Sequence, residues 1–558
     1  MAWAHLRSVL PERSALADMR RRPRQDLLAG LTVAIVALPL ALGFGISSGM
    51  GAASGLATAV VAGSMAALFG GSPVQVSGTS GAMTVVLIPI MNAHGAAGVL
   101  TVGVLAGVLL LALALARAGR YMALIPAPVV AGFTVGIACV IGLQQVPHAL
   151  GVEARMSDNV AVVAWHAITD FLARPHWWAM SVTLGVAAAL LVGASLRPRL
   201  PFSLLAVAAT TVVAETAALP LARIGDLPAG LPAPSLGFFN LAMVPTLFAP
   251  AIAVAALAAL ESLLSAAVAD GMTRGRRHDP DRELFGQGLA NLVTPLFGGM
   301  PGTGAIVRTA VNVRSGAGSR LASLSHAGIL AAIVYAAAGL VSRIPLAALA
   351  GVLLATSIRM IEADAVRAMF RSTRGDALVL VLTAVATLIL DTVLAIILGL
   401  VVAGALAVRV MARNARLEPE PLRHDLQPHH TEDEHALLAE HIVTYRLAGP
   451  LFFAAANRFL VELSEVSDVS VVVLRMSRVT TIDASGAKAL GNAIERLEGR
   501  GIMVYVSGIP ERHHQPLEAL GVLARLDEAG QVFATTTEAI AAARDRLRDT
   551  GVVPRPAG

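Results

Sequence analysis

Charge and cysteine are both scarce in this chain. Only 14% of its 558 residues are Asp, Glu, Lys or Arg, against 56% hydrophobic residues. With a mean hydropathy of +0.71, that balance excludes an ordinary soluble globular protein and marks an integral membrane protein. The single cysteine, Cys139, lies inside an apolar segment, so no intrachain disulfide is available. The apolar stretches are helix-length and rich in Ala, Leu, Val and Gly, and they lack the alternation of a membrane barrel. The first long apolar run continues past Phe44 without a convincing cleavage site, so it reads as a first span and not a removable signal peptide. An isoelectric point near 10.0 does not indicate nucleic acid, because most arginines sit in short loops beside apolar segments, where they set orientation.

What is present is a repeat. Leu68-Phe69-Gly70-Gly71-Ser72-Pro73 is followed by Gly78-Thr79-Ser80-Gly81-Ala82, and Leu296-Phe297-Gly298-Gly299-Met300-Pro301 by Gly302-Thr303-Gly304-Ala305. A Gly/Pro-interrupted apolar stretch recurring at matching positions in two halves points to a transporter's binding site. Breaking a helix at mid-membrane leaves backbone N–H groups unpaired, and the half-helix that restarts there turns its positive end into the cavity. Two such ends facing one another make an anion site. The candidates are Thr79, Ser80, Gly81 and Ala82 in the first half, and Gly304, Ala305, Ile306 and Val307 in the second. Glycine and alanine let a ligand approach the backbone closely. The same small residues also suit tight helix packing.

Apolar segments run roughly over 27–46, 52–70, 79–92, 96–117, 128–145, 176–195 and 201–219, then 245–269, 283–298, 306–318, 321–341, 345–358, 375–389 and 391–411. The third member of each set is short. Counting the short members as crossings gathers Arg20 to Arg24, Arg117, Arg197, Arg274, Arg320, Arg371 and Arg409 on the side of the N-terminus. That bias makes both termini cytoplasmic, in a cell (inner or plasma) membrane. An odd number of crossings per set inverts the second half relative to the first. The domains are then a cytoplasmic segment 1–26, a membrane transport domain 27–413 (repeats about 27–219 and 245–411), a linker 414–436 and a small α/β domain 437–550. Four histidines in the linker, from His424 to His435, do not match a closed metal site. Expected elements of the last domain are strands at Ile442–Leu447, Ser470–Met476 and Ile502–Ser507, and helices at 485–499 and Thr537–Leu547. It has no Gly-rich nucleotide loop or catalytic triad, so it does not read as an enzyme.

Two charges lie inside apolar segments. Arg308 follows the second break by one turn, and Glu261 sits mid-segment with Ser265 one helical turn on, sharing its face. Intramembrane ionisable residues are functional by default. Glu261 pairs structurally with Arg308 or carries a proton; the residues alone leave these open.

The chain resembles the SulP sulfate-permease family. The resemblance rests on the stretch from Ile125-Pro126-Ala127-Pro128 to Gly136-Ile137, on Arg308-Thr309-Ala310-Val311-Asn312, on Ile344-Pro345-Leu346-Ala347 to Gly351-Val352, and on Thr481-Ile482-Asp483-Ala484-Ser485-Gly486. The last is similar to the loop of STAS domains. The resemblance implies a polytopic α-helical membrane protein of fourteen segments, a seven-plus-seven inverted repeat with core and gate subdomains, a cytoplasmic STAS domain and a homodimer in the lipid. It implies an anion held between the half-helices, Arg308 beside it, Phe44 walling it, and Glu261 with Ser265 holding a coupling cation, Na⁺ or H⁺. No other cofactor and no metal are expected. Leu40 stands where many members carry glutamine after the proline, and Thr79 where proline is common. Both departures favour bicarbonate or a dicarboxylate over sulfate. Ser485 matches a serine phosphorylated in anti-sigma-factor antagonists, where a phosphate adds about −1.5 to −2 charges; alternatively it caps the following helix. The expected function is cation-coupled secondary transport of a small anion, bicarbonate, sulfate or dicarboxylate, by alternating access. An uncoupled anion channel or exchanger, and a membrane-anchored signalling protein, are the alternatives.

Overall fold

A computed structural model of the chain describes residues 18–124, 126–153, 159–196, 202–228, 230–273, 277–390, 392–413, 416–420, 440–453 and 469–551. The chain forms two compact units that divide after Val401. In the first, the same order of elements occurs twice. Each half opens with a long helix carrying proline at its first turn and again inside: α1 (Pro23–Ser47, with Pro39) and α9 (Val244–Met272, with Pro250). Proline suits a first turn because no intrahelical partner waits for its missing N–H. Next come α2 (Ala52–Phe69) and α10 (Pro280–Val293), the latter extended by a 3₁₀ turn over Thr294–Phe297. The Gly/Pro stretches are then non-helical and hold two-residue strands, β1 (Ser77–Gly78) and β2 (Thr303–Gly304).

Helices restart immediately after both strands. Helix α3 (Gly81–Leu115) is broken at Gly95, where φ is 63°, so its first arm is the short third segment. Its counterpart α11 (Ile306–Arg314) has nine residues, roughly 14 Å of helix, half a bilayer core. Helix α12 (Arg320–Val341) matches the second arm of α3. The set continues with α4 (Ala127–Gln144), α5 (Val146–Leu150), α6 (Val160–Ala173), α7 (Trp177–Leu196) and α8 (Phe202–Thr216) in the first half. In the second it continues with α13 (Leu346–Met360), α14 (Ala363–Ser372), α15 (Arg374–Ile389) and α16 (Thr392–Arg413). The expected segments are all found within a few residues, with α5, α14 and α6 as additions, the longest being α6. It is one-sided, with Ala164, Ala167 and Phe171 buried and Trp165 and Leu172 exposed. At 14 residues it is too short to register as a span. Arg197 and Arg274, two of the arginines that set the orientation, lie outside the described residues.

Two bundles result. Helices α1 to α3 and α9 to α12 pack on one another as a core, while α4, α6 to α8, α13 and α15 form a gate. Core helices meet through glycine. A Cβ at Gly55 would lie 2.0 Å from the Ala41 carbonyl oxygen, so α1 and α2 touch backbone to backbone. The non-helical stretches are tied down by buried polar side chains. Glu283 Oε2 accepts from the amides of Gly71 (2.8 Å) and Ser72 (3.1 Å). Asn291 donates to the Gly302 carbonyl and accepts from its amide, both at 2.9 Å. Arg320 donates to the carbonyls of Ala67 (2.8 Å) and Gly70 (2.6 Å), closing the end of α2.

The second unit contains a five-stranded sheet in the order β3 (Arg416–Glu420), β4 (Ile442–Leu451), β5 (Val471–Ile482), β6 (Met503–Ser507) and β7 (Val532–Phe533). Strands β4 to β7 are parallel, and β3 is antiparallel to β4. The Val471–Leu474 run is buried on both faces, as its unbroken apolar character requires. Helix α17 (Ala484–Gly499), with α18 (His514–Ala519) and α19 (Val522–Glu528), covers one face, and α20 (Thr536–Asp549) the other. One boundary is corrected: residues 416–420, expected in the linker, pair with Thr444–Ala448 as an edge strand. Its proline and charges hid it. Residues 421–436, with the four linker histidines, lie outside the described residues.

Asn291→Ala should lower the melting temperature of the detergent-solubilised protein sharply. It strands both polar groups of Gly302 in a buried site, at about 1–3 kcal/mol each. Melting within a degree or two of wild type would show that Gly302 needs no side-chain support.

Candidate functional site

The two helix breaks meet. Ser77 lies opposite Gly304 and Gly78 opposite Thr303 in an antiparallel ladder. The ladder is extended by a bond from the Ala305 amide to the Val76 carbonyl at 2.9 Å. Because the strands run in opposite directions and each leads straight into its helix, α3 and α11 leave oppositely, with their amino ends facing across the ladder. At the first end Ser80 is the N-cap, its hydroxyl accepting from the Met83 amide at 3.1 Å. The amides of Gly81 and Ala82 have no protein acceptor among the described residues, and neither do those of Ile306 and Val307. Gly304 and Ala305 differ from expectation. Gly304 donates to Ser262 Oγ at 2.9 Å, and Ala305 is committed to the ladder, so neither is a free donor.

The intramembrane charges flank these ends. Arg308 is 2% exposed; its Nη2 donates to the Thr79 carbonyl, while Nη1 has no partner. The Glu261 Oε2 accepts from the hydroxyls of Ser80 and Thr303, both at 2.6 Å. No direct Arg308–Glu261 ion pair exists among the described residues. Charge-assisted bonds to neutral hydroxyls and a peptide carbonyl replace it. Ser265 also differs from expectation: its hydroxyl donates to Thr309 Oγ1 at 2.9 Å, away from the Glu261 carboxylate. Thr309 in turn accepts from the Val76 amide at 3.1 Å, so this pair braces the ladder.

Phe44 is 6% exposed and does stand over the first helix end. A Cβ at Gly81 would lie 3.2 Å from its ring and 2.2 Å from Ile141 Cδ1 of α4, so glycine lets both walls close on this helix end as they stand. Access is uneven: Thr79 and Ala82 are fully buried, whereas Val307 is 47% exposed. Thr303 and Ser262 are additions to the expected residues. Thr303 falls at the hydroxyl position of the repeat, a signal the sequence carried; Ser262, next to Glu261, has none. In the second unit Ser485 is exposed, and the cap of α17 is Asp483, whose Oδ1 accepts from the Gly486 amide at 2.7 Å. Ser485 therefore does not cap that helix.

A family model described as the sulfate permease family matches residues 24–383, and a STAS domain model matches residues 436–539. The chain belongs to the sulfate permease family. It is 32% identical over 515 residues to a putative sulfate transporter, YvdB, of Bacillus subtilis, covering 90% of this chain and 94% of that protein. It is 31% identical over 526 residues to the bicarbonate transporter BicA of Picosynechococcus, covering 91% and 92%. The solved structure of the murine anion transporter Slc26a9 in the inward-facing state shares the fold, with a TM-score of 0.84 at 17% identity over 97% of this chain and 95% of that one. These relatives are named as transporters, not enzymes, and this family member is a multi-pass membrane protein with a C-terminal STAS domain.

Replacing both Ser80 with Ala and Thr303 with Val should lower the melting temperature by more than the two single changes added together. Each single change leaves Glu261 one hydroxyl, and the double leaves a carboxylate with none, at about 1–3 kcal/mol or more. Strict additivity would mean that each hydroxyl supports the carboxylate independently of the other.

Proposed function

We propose that the chain is a secondary transporter of a small anion, bicarbonate, sulfate or a dicarboxylate, driven by a Na⁺ or H⁺ gradient. The observation that carries this reading is the pair of helix amino ends facing across the β1–β2 ladder, with unpaired amides at Gly81, Ala82, Ile306 and Val307. Thr79, Ser80, Gly304 and Ala305 shape the floor, Phe44 walls it, and Arg308 supplies the attracting charge. Neutral donors bind an anion without fixing it, so the solute can leave as well as enter.

Glu261 is the coupling group. Its carboxylate, with the Ser80 and Thr303 hydroxyls, offers the hard oxygen donors a sodium ion takes, and the same carboxylate can instead hold a proton. Ser265 contributes by positioning Thr309. Alternating access then moves the core bundle against the gate. A hydrogen bond from Gln145 Nε2 at the end of α4 to Ser47 Oγ at the end of α1, at 3.0 Å, joins the bundles at one end. It must break if that end opens. The arginines at positions 20–22, 24, 320, 371 and 409 support cytoplasmic termini in the inner or plasma membrane. The working unit is a homodimer in lipid, and Ser485 is a regulatory position on the STAS domain.

Uptake of labelled bicarbonate, sulfate and fumarate into proteoliposomes, with and without Na⁺ and pH gradients, tests this directly. One of the three should accumulate only with one gradient. Arg308→Ala should raise the KM for that anion about tenfold or more, the loss of a hydrogen bond to a charged group. Glu261→Gln should abolish the gradient dependence while leaving the protein folded. Wild-type behaviour of both variants would sink the assignment.

A further inference from the structure

His326 lies in the second turn of α12 at 0% exposure, and neither ring nitrogen has a hydrogen-bond partner. Buried polar groups in native proteins are almost always paired, so an orphaned imidazole asks for a partner. Its surroundings name one. Along α2, Ala59 and Gly63 present small residues one turn apart to the back of β1. A Cβ at Gly63 would sit 4.0 Å from His326 Nδ1 and 3.3 Å from the Ser77 carbonyl oxygen. A Cβ at Gly78 would sit 2.9 Å from Arg308 Nη1 and 3.2 Å from the Ala59 Cα. Imidazole and guanidinium therefore enter the same slot, between β1 and the small-residue face of α2. Arg308 Nη1, likewise without a partner, is there too.

We propose that His326 is a positioning residue for Arg308: ring and guanidinium share ordered water in this slot, and that bridge aims Arg308 at the anion. A water there finds the three partners a buried water usually has: the Nη1–H donor, a ring nitrogen and the Ser77 carbonyl. Imidazole suits the task because its neutral form offers one donor and one acceptor, adding no second positive charge beside the arginine. With Nη2 held by the Thr79 carbonyl and Nη1 by the bridge, the guanidinium keeps one orientation when the site empties. The inference rests on the anion-binding role given to Arg308 above.

The test is uptake kinetics of the full chain in proteoliposomes, using the anion that wild type accumulates. His326→Leu should raise KM about five- to tenfold, the effect of one lost hydrogen bond to a charged group, with the maximal rate within twofold. His326→Gln, which keeps a donor and an acceptor, should recover most of that loss. In an Arg308→Lys background, His326→Leu should add less than twofold. Unchanged KM in His326→Leu, no recovery by glutamine, or a full-sized effect in the lysine background would each overturn the proposal. A wild-type KM for Arg308→Ala would instead remove the anion role of Arg308 itself, and the positioning role with it. Should His326→Leu fail to fold, Gly63→Ala puts a methyl group into the same slot and should raise KM alike; no change there also overturns the idea.

Discussion

A helix interrupted inside a bilayer exposes amides that lipid cannot satisfy, and this chain contains two such interruptions brought face to face. The arrangement is tolerable only where protein surrounds it on all sides. The β1–β2 ladder is the smallest solution available: two residue pairs consume the inner polar groups of each break. What remains unpaired lies at the helix ends. Several buried polar side chains of the core serve that constraint. Glu283 and Asn291 hold the approach to each break, Arg320 closes the helix before the first one, and Thr309 and Ser262 cap strand amides.

The charges follow the same logic. Arg308 and Glu261 both lie at the helix ends, each bonded to neutral dipoles in place of each other. A tight ion pair would cancel the field that attracts an anion and would need breaking each time one bound. Hydroxyls and a peptide carbonyl stabilise each charge while leaving its sign visible to a solute. Glycine does the rest: at Gly55 it lets two helices touch, and at Gly81 it admits a phenyl ring and an isoleucine to the helix end.

Much of this was legible beforehand. Long apolar runs specify spans because hydrocarbon admits little else, and the doubled Gly/Pro stretch marked both breaks at the right positions. The parallel strands of the second unit announced themselves by unbroken apolar runs. Helix α6 and strand β3 escaped for local reasons: one is too short for a full crossing, the other an edge strand with proline and charge in it. Ser265 shows the limit within the site. Helical spacing put it on the face of Glu261, but its hydroxyl donates to Thr309, a partner 44 positions away that no local spacing announces.

The sequence by itself determined the membrane class, the repeat, the position of each helix break and the identity of the two buried charges, because each is written in local composition and spacing. Tertiary structure alone decided which amides stay free, which hydroxyls reach Glu261 and what stands behind Arg308. Those outcomes depend on residues some 40 to 250 positions apart meeting across the ladder, and no local pattern encodes which of several suitable partners comes within hydrogen-bond reach.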